Sequence, residues 1–278
     1  SMHPPGPLFQ PLALAKPPGG CEHIEARFVA PSPIAEPLMT LPPFGRALLA
    51  VALLATTTSA RTPLAAQITP FNTLTQAERS AGWQLLFDGS KTAGWRGFRM
   101  DSVPANWKVI DGALTCVGDG VDLLTDRTYA GFELTLEWMI APKGNSGILY
   151  RVTEVEDETY WTGPEFQLLD DAGQPPGLTR LTAAGAVYAL YPAPEGLVKP
   201  AGQWNATRIV INGNEVQHWL NGTLAAQYVL GSADFNDRVA KSKFSKWPGF
   251  GKAATGHIAL QSHGGRVAFR DIKIKVTP

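Results

Sequence analysis

The chain has 278 residues, with 24 basic and 24 acidic side chains that leave no formal net charge. This balance argues against nucleic acid or an anionic membrane as the partner, because both bind basic surfaces. Two cysteines, Cys21 and Cys116, are present. Cys116 lies in strand-like sequence and is predicted to be a small core residue rather than a nucleophile, so that burial and not disulfide bonding stabilises the fold.

The first quarter of the chain differs from the rest. Residues 1–43 are rich in proline and lack hydrophobic periodicity, which predicts disorder. From Arg46 a short apolar run and then small residues precede Gln67, a pattern typical of a secretory signal peptide and too short to span a bilayer. We expect residues 1–66 to be a disordered leader and signal peptide that is removed, residues 67–82 an N-terminal extension, and residues 83–278 one domain, secreted or periplasmic.

The remaining sequence is rich in β-strand patterns. A short helix is predicted near Thr75–Ala81, where Thr75 and Glu78 have the spacing of a capping box. Three two-residue hairpin turns are predicted at Asp111-Gly112, Asn212-Gly213 and Asn221-Gly222. The predicted strands are Trp83–Phe87, Trp107–Ile110, Ala113–Val117, Phe132–Ile140, Gly147–Val152, Glu165–Leu169, Ala206–Ile211, Glu215–Leu220, Leu224–Val229, His257–Gln261 and Val267–Val276. With no βαβ rhythm, this pattern predicts an all-β antiparallel sandwich.

One strand carries the most informative polar residues. In the segment from Gly163 to Asp171, alternation places Glu165 and Gln167 on one face and Phe166 and Leu168 on the other. If the apolar pair packs into the core, the polar pair stands on an accessible sheet face. Such a face suits sugars, which bind to bidentate polar groups flanked by aromatic surface.

Arg151 and Tyr188 end two other strand-like segments. Alternation places Arg151 on the face of Leu149 and Gly147, where it would clamp a hydroxyl, a carboxylate or an enolate oxygen. The alternative is an ion pair with Glu165 or Asp170. The phenol of Tyr188 either stacks on a sugar or caps the core.

Two histidines and one loop complete the candidates. His218 shares its face with Val216 and Leu220, which is more typical of a core histidine than of a catalyst. His263 follows Gln261 at period two and precedes two glycines, so it lies where a strand ends and can point into solvent. The Lys-rich segment 241–247, which contains Lys243, is either a loop that lines a site or a solvated charged loop.

Motifs of the common enzyme classes are absent from the sequence. There is no zinc-protease, Cys-x-x-Cys, nucleophile-elbow or dinucleotide motif, which disfavours metalloproteases, α/β-hydrolases and dinucleotide enzymes. We assign no metal ligands. Calcium is the one cofactor considered, through Asp170-Asp171 or Asp88, although no loop has a calcium-ligand pattern.

Seven groups of residues together resemble the 3-keto-disaccharide hydrolase family, and the resemblance covers about Gly82 to Lys275. The groups are Phe87-Asp-Gly89 with Trp95, Asn145-Ser-Gly-Ile148 with Tyr150-Arg151, Gly163-Pro-Glu-Phe-Gln167 with Asp170-Asp171, Gly185-Ala-Val-Tyr188, Trp204-Asn205, His218 with Asn221-Gly222, and Leu260-Gln-Ser-His-Gly264 with Phe269-Arg-Asp-Ile272. The resemblance implies a jelly roll of the concanavalin A-like lectin/glucanase type. Ser262 departs from the family, whose members often carry aspartate there.

The resemblance also implies a reaction on a 3-keto glycoside. A ketone at C3 acidifies the C2 hydrogen, so that a base can remove it, the C1–O bond is expelled by elimination, and water then adds to the enone. Such a site needs a base, an enolate stabiliser and an acid for the leaving group. We expect Glu165 and His263 to be base and acid in either order, and Arg151 to hold the enolate.

The same reading assigns the substrate contacts and the partners. Gln167, Asp170, Tyr188, His218, Gln261 and Lys243 are expected to contact the carbohydrate. A separate sugar 3-dehydrogenase is expected to supply the 3-keto substrate, and neither nucleic acid nor membrane is expected as a partner.

Two other functions fit the same fold. A retaining laminarinase-like hydrolase carries Glu-x-Asp-x-x-Glu on one strand, but after Glu165 this chain has Gln167 in place of the aspartate and Asp170 in place of the second glutamate. A non-catalytic carbohydrate-binding module would show exposed aromatic residues without a convergent acid and base, and the chain has eight tryptophans.

Overall fold

The structure is a computed structural model that describes residues 70–277. The predicted leader and signal peptide lie outside these residues. The two α-helices are α1 Gln76–Ser80 and α2 Ala233–Ala240. The strands are β1 Gln84–Leu85, β2 Trp95–Gly97, β3 Trp107–Ile110, β4 Ala113–Val117, β5 Leu123–Thr125, β6 Gly131–Ile140, β7 Asn145–Val152, β8 Glu165–Leu169, β9 Asn205–Asn212, β10 Glu215–Leu220, β11 Thr223–Val229, β12 His257–Leu260 and β13 Arg266–Thr277.

The strands form two antiparallel sheets. The larger sheet has the order β11-β10-β9-β6-β13-β4-β3, and the short β1 pairs with β13 as its eighth strand. The smaller sheet has five strands in the order β2-β5-β12-β7-β8. The prediction of an all-β antiparallel sandwich of the jelly-roll type is therefore confirmed.

Alternation along the strands divides the side chains between the interior and the outside. The main core lies between the sheets and includes Ile148, Tyr150, Phe166 and Leu168 of the smaller sheet. A second, smaller apolar cluster lies on the other face of that sheet and comprises Phe98, Leu124, Leu149, Val152 and Ala259, with Tyr160 packed against it. Cys116 is fully buried in the main core, as predicted.

Three tight hairpin turns set the register of the strands on either side of them. Asp111-Gly112 and Asn221-Gly222 have positive φ at both residues, as tight two-residue turns require, and the flanking strands pair directly across them. The third turn differs from the prediction by one residue. Asn212 pairs with Glu215, so the turn residues are Gly213 and Asn214, and only Gly213 has positive φ.

The segment before the first strand is attached to the larger sheet. Helix α1 begins with the predicted capping box, in which the Thr75 hydroxyl accepts from the Glu78 amide and the Glu78 carboxylate accepts from the Thr75 amide. The Lys273 ammonium of β13 contacts the Glu78 carboxylate at 2.9 Å. Asn72 exchanges two hydrogen bonds with Asp271, so residues 70–80 are held against β13. No helix within residues 70–277 is long and apolar enough to cross a membrane.

Candidate active site

A polar cavity of about 170 Å³ opens on the outer face of the smaller sheet. Strands β7 and β8 and the chain after β12 supply its floor, and three connecting segments, those between β7 and β8, between β8 and β9 and between β11 and β12, supply its walls. Its lining residues are Asn145, Tyr160, Glu165, Gln167, Tyr188, Lys243, Gln261 and His263. Six of these eight residues are the candidates Glu165, Gln167, Tyr188, Lys243, Gln261 and His263 of the sequence analysis.

Glu165 is the buried carboxyl group of this cavity, with 6% of its surface exposed. Its side chain lies over Gly147 of the neighbouring strand, where a Cβ atom would collide with the carboxyl group. Burial raises the pKa of the Glu165 carboxyl to about 8, with Lys243 opposing the shift and Asp122 adding to it. Glu165 can therefore exchange a proton near neutral pH.

Amide side chains lie beside this carboxyl group. The Gln167 Nε2 donates to Asn145 Oδ1 at 3.2 Å, whereas the Gln167 Oε1 is buried and has no hydrogen-bond partner among the described residues. A buried carbonyl oxygen without a partner is costly, and a hydroxyl group of a ligand would satisfy it. Gln261 is also buried, and its backbone N–H donates to the Gly147 carbonyl, which fixes the end of β12 against β7.

Tyr188 and Lys243 form one wall of the cavity. Tyr188 follows a segment that pairs with the free edge of β8, and its amide N–H donates to the Glu165 carbonyl. The Lys243 ammonium lies 4.4 Å from the centroid of the Tyr188 ring and 5.2 Å from that of Tyr160. Burial lowers the pKa of Lys243, while the nearby Glu165 opposes that shift. Of the segment 241–247, Lys243 lines the cavity, so the site-lining alternative holds for this residue.

His263 lies at the exposed mouth of the cavity. Its neighbour Ser262 donates a backbone hydrogen bond of 2.8 Å to Asp122 Oδ1, and the other oxygen of Asp122 accepts from the Thr159 hydroxyl, next to Tyr160. A single half-buried carboxylate therefore connects the two loops that carry His263 and Tyr160. Burial raises the pKa of Asp122 to about 6, although both hydrogen bonds oppose the shift.

The expectation for Arg151 is wrong. Two residues of β7, Tyr150 and Arg151, lie opposite the single Ile258 of β12, which makes a β-bulge, and Arg151 has a φ of 54°. The bulge breaks the alternation and turns the guanidinium away from the cavity. It donates instead to the carbonyls of Ala130 and Gly213 and to Asn214, near the β9–β10 turn.

Asp170 and His218 also lie outside the cavity. Asp170 Oδ2 accepts from the Lys143 amide at 2.8 Å, so this carboxylate closes the β6–β7 turn. His218 is fully buried, pairs with the Tyr150 hydroxyl at 2.8 Å and packs 4.7 Å from the Phe166 ring. Burial lowers the pKa of His218 to about 3. It is a neutral core histidine, because the apolar face of its strand is the interior face.

The carboxylates considered for calcium are engaged by the protein. Asp88 Oδ1 accepts from the amides of Ser90 and Lys91, and Asp171 Oδ1 accepts from the Ala184 amide. Within residues 70–277 no group of three or more His, Cys, Asp or Glu side chains is arranged to hold a metal ion.

Sequence reasoning missed two contributors to the site. Tyr160 lies in the loop between β7 and β8, whose unusual length was its only signal. Asp122 precedes the three-residue strand β5, which is too short to give a period. Asn145 appeared in the motif that carries the resemblance but was given no role.

Comparisons with known proteins show the family of this chain. The model of the 3-keto-alpha-glucoside-1,2-lyase-like domain matches residues 82–275. The chain belongs to this family. A curated 3-keto-disaccharide hydrolase from Bacteroides thetaiotaomicron is 33% identical over 227 residues, which cover 70% of this chain and 78% of that protein.

Two crystal structures from Parabacteroides distasonis, both with provisional glycosyl hydrolase names, are similar to this member of the lyase-like family. One is 34% identical with a TM-score of 0.71 and covers 75% of this chain and all of its own. The other is 25% identical with a TM-score of 0.51 and covers 66% of this chain and 99% of its own. The lyase-like domain contains every residue that lines the cavity.

Proposed function

We propose that this protein cleaves the glycosidic bond of 3-keto glucosides by elimination followed by hydration. The observation that supports this most directly is the convergence of Glu165, Lys243 and His263 in one cavity that also presents amide groups. The family model and the name of the Bacteroides relative point to the same substrate class.

The depth of each group suggests its role. Glu165 is buried at the floor, where a sugar ring would lie, whereas His263 is exposed at the mouth, where an aglycone would leave. In this proposal the Glu165 carboxylate removes the C2 proton, and the electron pair forms an enolate between C2 and C3. The Lys243 ammonium takes the place first given to Arg151 and stabilises the C3 oxygen.

Collapse of the enolate completes the cleavage. The C3 carbonyl re-forms, a double bond forms between C1 and C2, and the C1–O bond breaks with its electrons on the aglycone oxygen. His263 donates the proton to that oxygen. Water then adds its oxygen to C1 and a proton to C2, which gives the free 3-keto sugar. The unpartnered Gln167 Oε1 would accept a hydrogen bond from a sugar hydroxyl during these steps.

Retaining glycoside hydrolysis fits the cavity less well. That mechanism needs two carboxyl groups about 5 Å apart. Among the described residues that line the cavity, Glu165 is the one carboxylate, and Asp170 bonds to the Lys143 amide elsewhere.

The proposed reaction and the predicted signal peptide lead to two further proposals, on the source of the substrate and on the compartment in which the protein acts. The mechanism needs a ketone at C3, so a separate sugar 3-dehydrogenase must oxidise the glycoside first. The predicted signal peptide favours action outside the cytoplasm, in the periplasm or the medium.

The test uses paired substrates, a 3-keto glucoside and the same glucoside without oxidation, and follows enone absorbance and aglycone release. We expect turnover of the keto compound only. The change Glu165→Gln should lower kcat by ~10²–10⁴-fold, as for loss of a general base. Because the base must be ionised, the kcat/KM of the wild type should rise with pH up to about 8. Equal cleavage of both substrates, or full turnover by E165Q, would refute the proposal.

A further inference from the structure

A second groove lies on the opposite side of the molecule from the candidate active site. It runs over the outer face of the larger sheet, across β6, β9 and β10, and has a volume of about 470 Å³, against about 170 Å³ for the active-site cavity. Its volume falls within the usual range for small-molecule sites, roughly 300–1,000 Å³. It shares no lining residue with the cavity around Glu165.

The groove results from a row of small side chains between large ones. Thr135, Arg208 and Trp219 are directly paired neighbours across β6, β9 and β10. Beside them Ala206 pairs with Glu137, and Gly222 follows β10. The small side chain of Ala206 leaves open space above the sheet at the bottom of the groove, and the half-buried indole of Trp219 forms one wall.

One β-bulge directs a side chain to this groove. The pairing of β13 with β6 shifts between Arg270 and Lys273. The bulge contains Asp271, a non-glycine residue with a φ of 52° that also lines the groove. Bulges and unusual backbone conformations on strands are common where a side chain is redirected to a ligand.

Each charged side chain that lines the groove is paired with an oppositely charged residue outside the lining. Arg208 contacts Glu133 at 2.5 Å, and Arg270 contacts Glu137 at 2.7 Å. Asp271 contacts Lys273 at 3.2 Å. A charged ligand would meet no unpaired opposite charge here and would lose its hydration. A neutral ligand with many hydroxyl groups can instead use the remaining lone pairs and N–H groups, and can pack its C–H face on Trp219.

We propose that this groove binds a neutral saccharide of one or two rings, at a site separate from the candidate active site. The inference is independent of the proposed reaction, because it rests on other residues, on the other sheet and on unoxidised sugar. Such a site would hold the protein on a glycan while the cavity on the smaller sheet acts on small products.

The test is calorimetric titration of the full chain with cellobiose, maltose and laminaribiose at millimolar concentrations. We expect saturable binding of at least one of them. Trp219→Ala should weaken it by about tenfold or more. Ala206→Leu should weaken it similarly, because it fills the floor without changing Trp219. Neither change should alter turnover of a small 3-keto glucoside.

Two further variants locate the bound sugar. Trp204→Ala removes a half-buried tryptophan that packs on Arg270 outside the groove, and binding should survive it. Gln167→Ala removes a group of the active-site cavity, and binding should survive that change too. Absence of binding by the wild type, binding that persists in both groove variants, or binding that is lost only with Gln167→Ala would overturn the proposal.

Discussion

Glu165 is a carboxyl group whose ordinary pKa of 4.5 is raised to about 8 by burial. Between these two values an unfolded chain has released this proton while the folded chain still holds it. The free energy of unfolding must therefore fall as the pH rises from about 4.5 to about 8. A group that destabilises the folded state in this way is typical of a functional position.

The first prediction concerns this stability cost. Glu165→Gln keeps the shape and removes the ionisation, so it should be more stable than the wild type by roughly 3 kcal/mol at neutral pH. Near pH 4 the difference should disappear. Urea unfolding at both pH values measures it, with the exposed Glu195→Gln as the control. Equal stability of E165Q and wild type at both pH values would contradict a raised pKa of the Glu165 carboxyl in the folded protein.

At the residue scale, alternation predicted Glu165 and Gln167 correctly because β8 is regular along its whole length. The same argument failed for Arg151, because a bulge at Tyr150–Arg151 reverses the direction of the side chain. A bulge leaves no sign in the hydrophobic pattern of a single sequence. The apolar neighbours of His218 on its strand correctly predicted a core position. Its hydrogen bond with the buried Tyr150 explains why a polar ring is tolerated there.

At the scale of elements, the pairing of β7 with β8 makes the space for Glu165. Gly147 lies beneath the Glu165 side chain, and its amide and carbonyl groups belong to the sheet. We predict that Gly147→Ala lowers kcat/KM by ~10-fold or more, because the carboxyl group must move away from its productive position. Gly249→Ala is the matched control, since a Cβ there meets open space. Unchanged kinetics of G147A would mean that the position of Glu165 is not critical.

Asp122 connects two loops at the cavity, and this connection gives the third prediction. Asp122→Ala loses the bonds to the Ser262 amide and the Thr159 hydroxyl, so His263 and Tyr160 should become mobile and kcat/KM should fall by roughly 10–100-fold. Asp122→Asn should recover part of the loss, because its oxygen can still accept from Ser262 while the Thr159 hydroxyl reverses to accept. If the kcat/KM of Asp122→Asn is as low as that of Asp122→Ala, Asp122 does not act by positioning the loops that carry His263 and Tyr160.

Element boundaries were predicted well where a strand is long or ends in a tight turn. Trp107–Ile110, Ala113–Val117 and Glu215–Leu220 have the predicted bounds. The three-residue strands β2 and β5 and the helix α2 were not predicted. Strands of three residues are too short to show a period, and α2 has one buried residue, Phe235. Asp122 was missed for the same reason.

At the scale of the whole molecule, a buried hydrogen-bond network joins the two sheets. The Tyr150 hydroxyl of β7 pairs with His218 of β10 at 2.8 Å and with the Tyr228 hydroxyl of β11 at 2.6 Å. All three side chains lie in the interior, on the far side of β7 from the cavity. The network therefore contributes to stability and to the alignment of the sheets.

The fourth prediction tests this network. Tyr150→Phe leaves two buried polar groups without a partner and should lower the free energy of unfolding by about 1–3 kcal/mol. Turnover per folded molecule should remain at the wild-type level. Urea unfolding together with kinetics measures both, with Tyr129→Phe as a control at another buried tyrosine. A large loss of turnover at full stability would assign Tyr150 to catalysis instead.

The sandwich was predictable as a whole, because its strands alternate and its turns are marked by Asp-Gly and Asn-Gly. The composition of the site was only partly predictable. Glu165 and Gln167 come from one strand, but Lys243 and Tyr160 come from loops whose positions depend on how the sandwich closes. Single-sequence patterns carry no information on which loops meet in space. The resemblance to a family gave the order of the motifs along the chain, but not the distances between their side chains in the folded protein.

The proposed reaction depends on removal of the C2 proton, and an isotope experiment measures that step directly. A 3-keto glucoside with deuterium at C2 is turned over in ordinary water, and both the rate and the isotope content of the free 3-keto sugar are measured. We predict a slower reaction than with the unlabelled compound and a product that has lost its deuterium to water. Full retention of deuterium at C2, with no change in rate, would contradict elimination and favour direct displacement at C1.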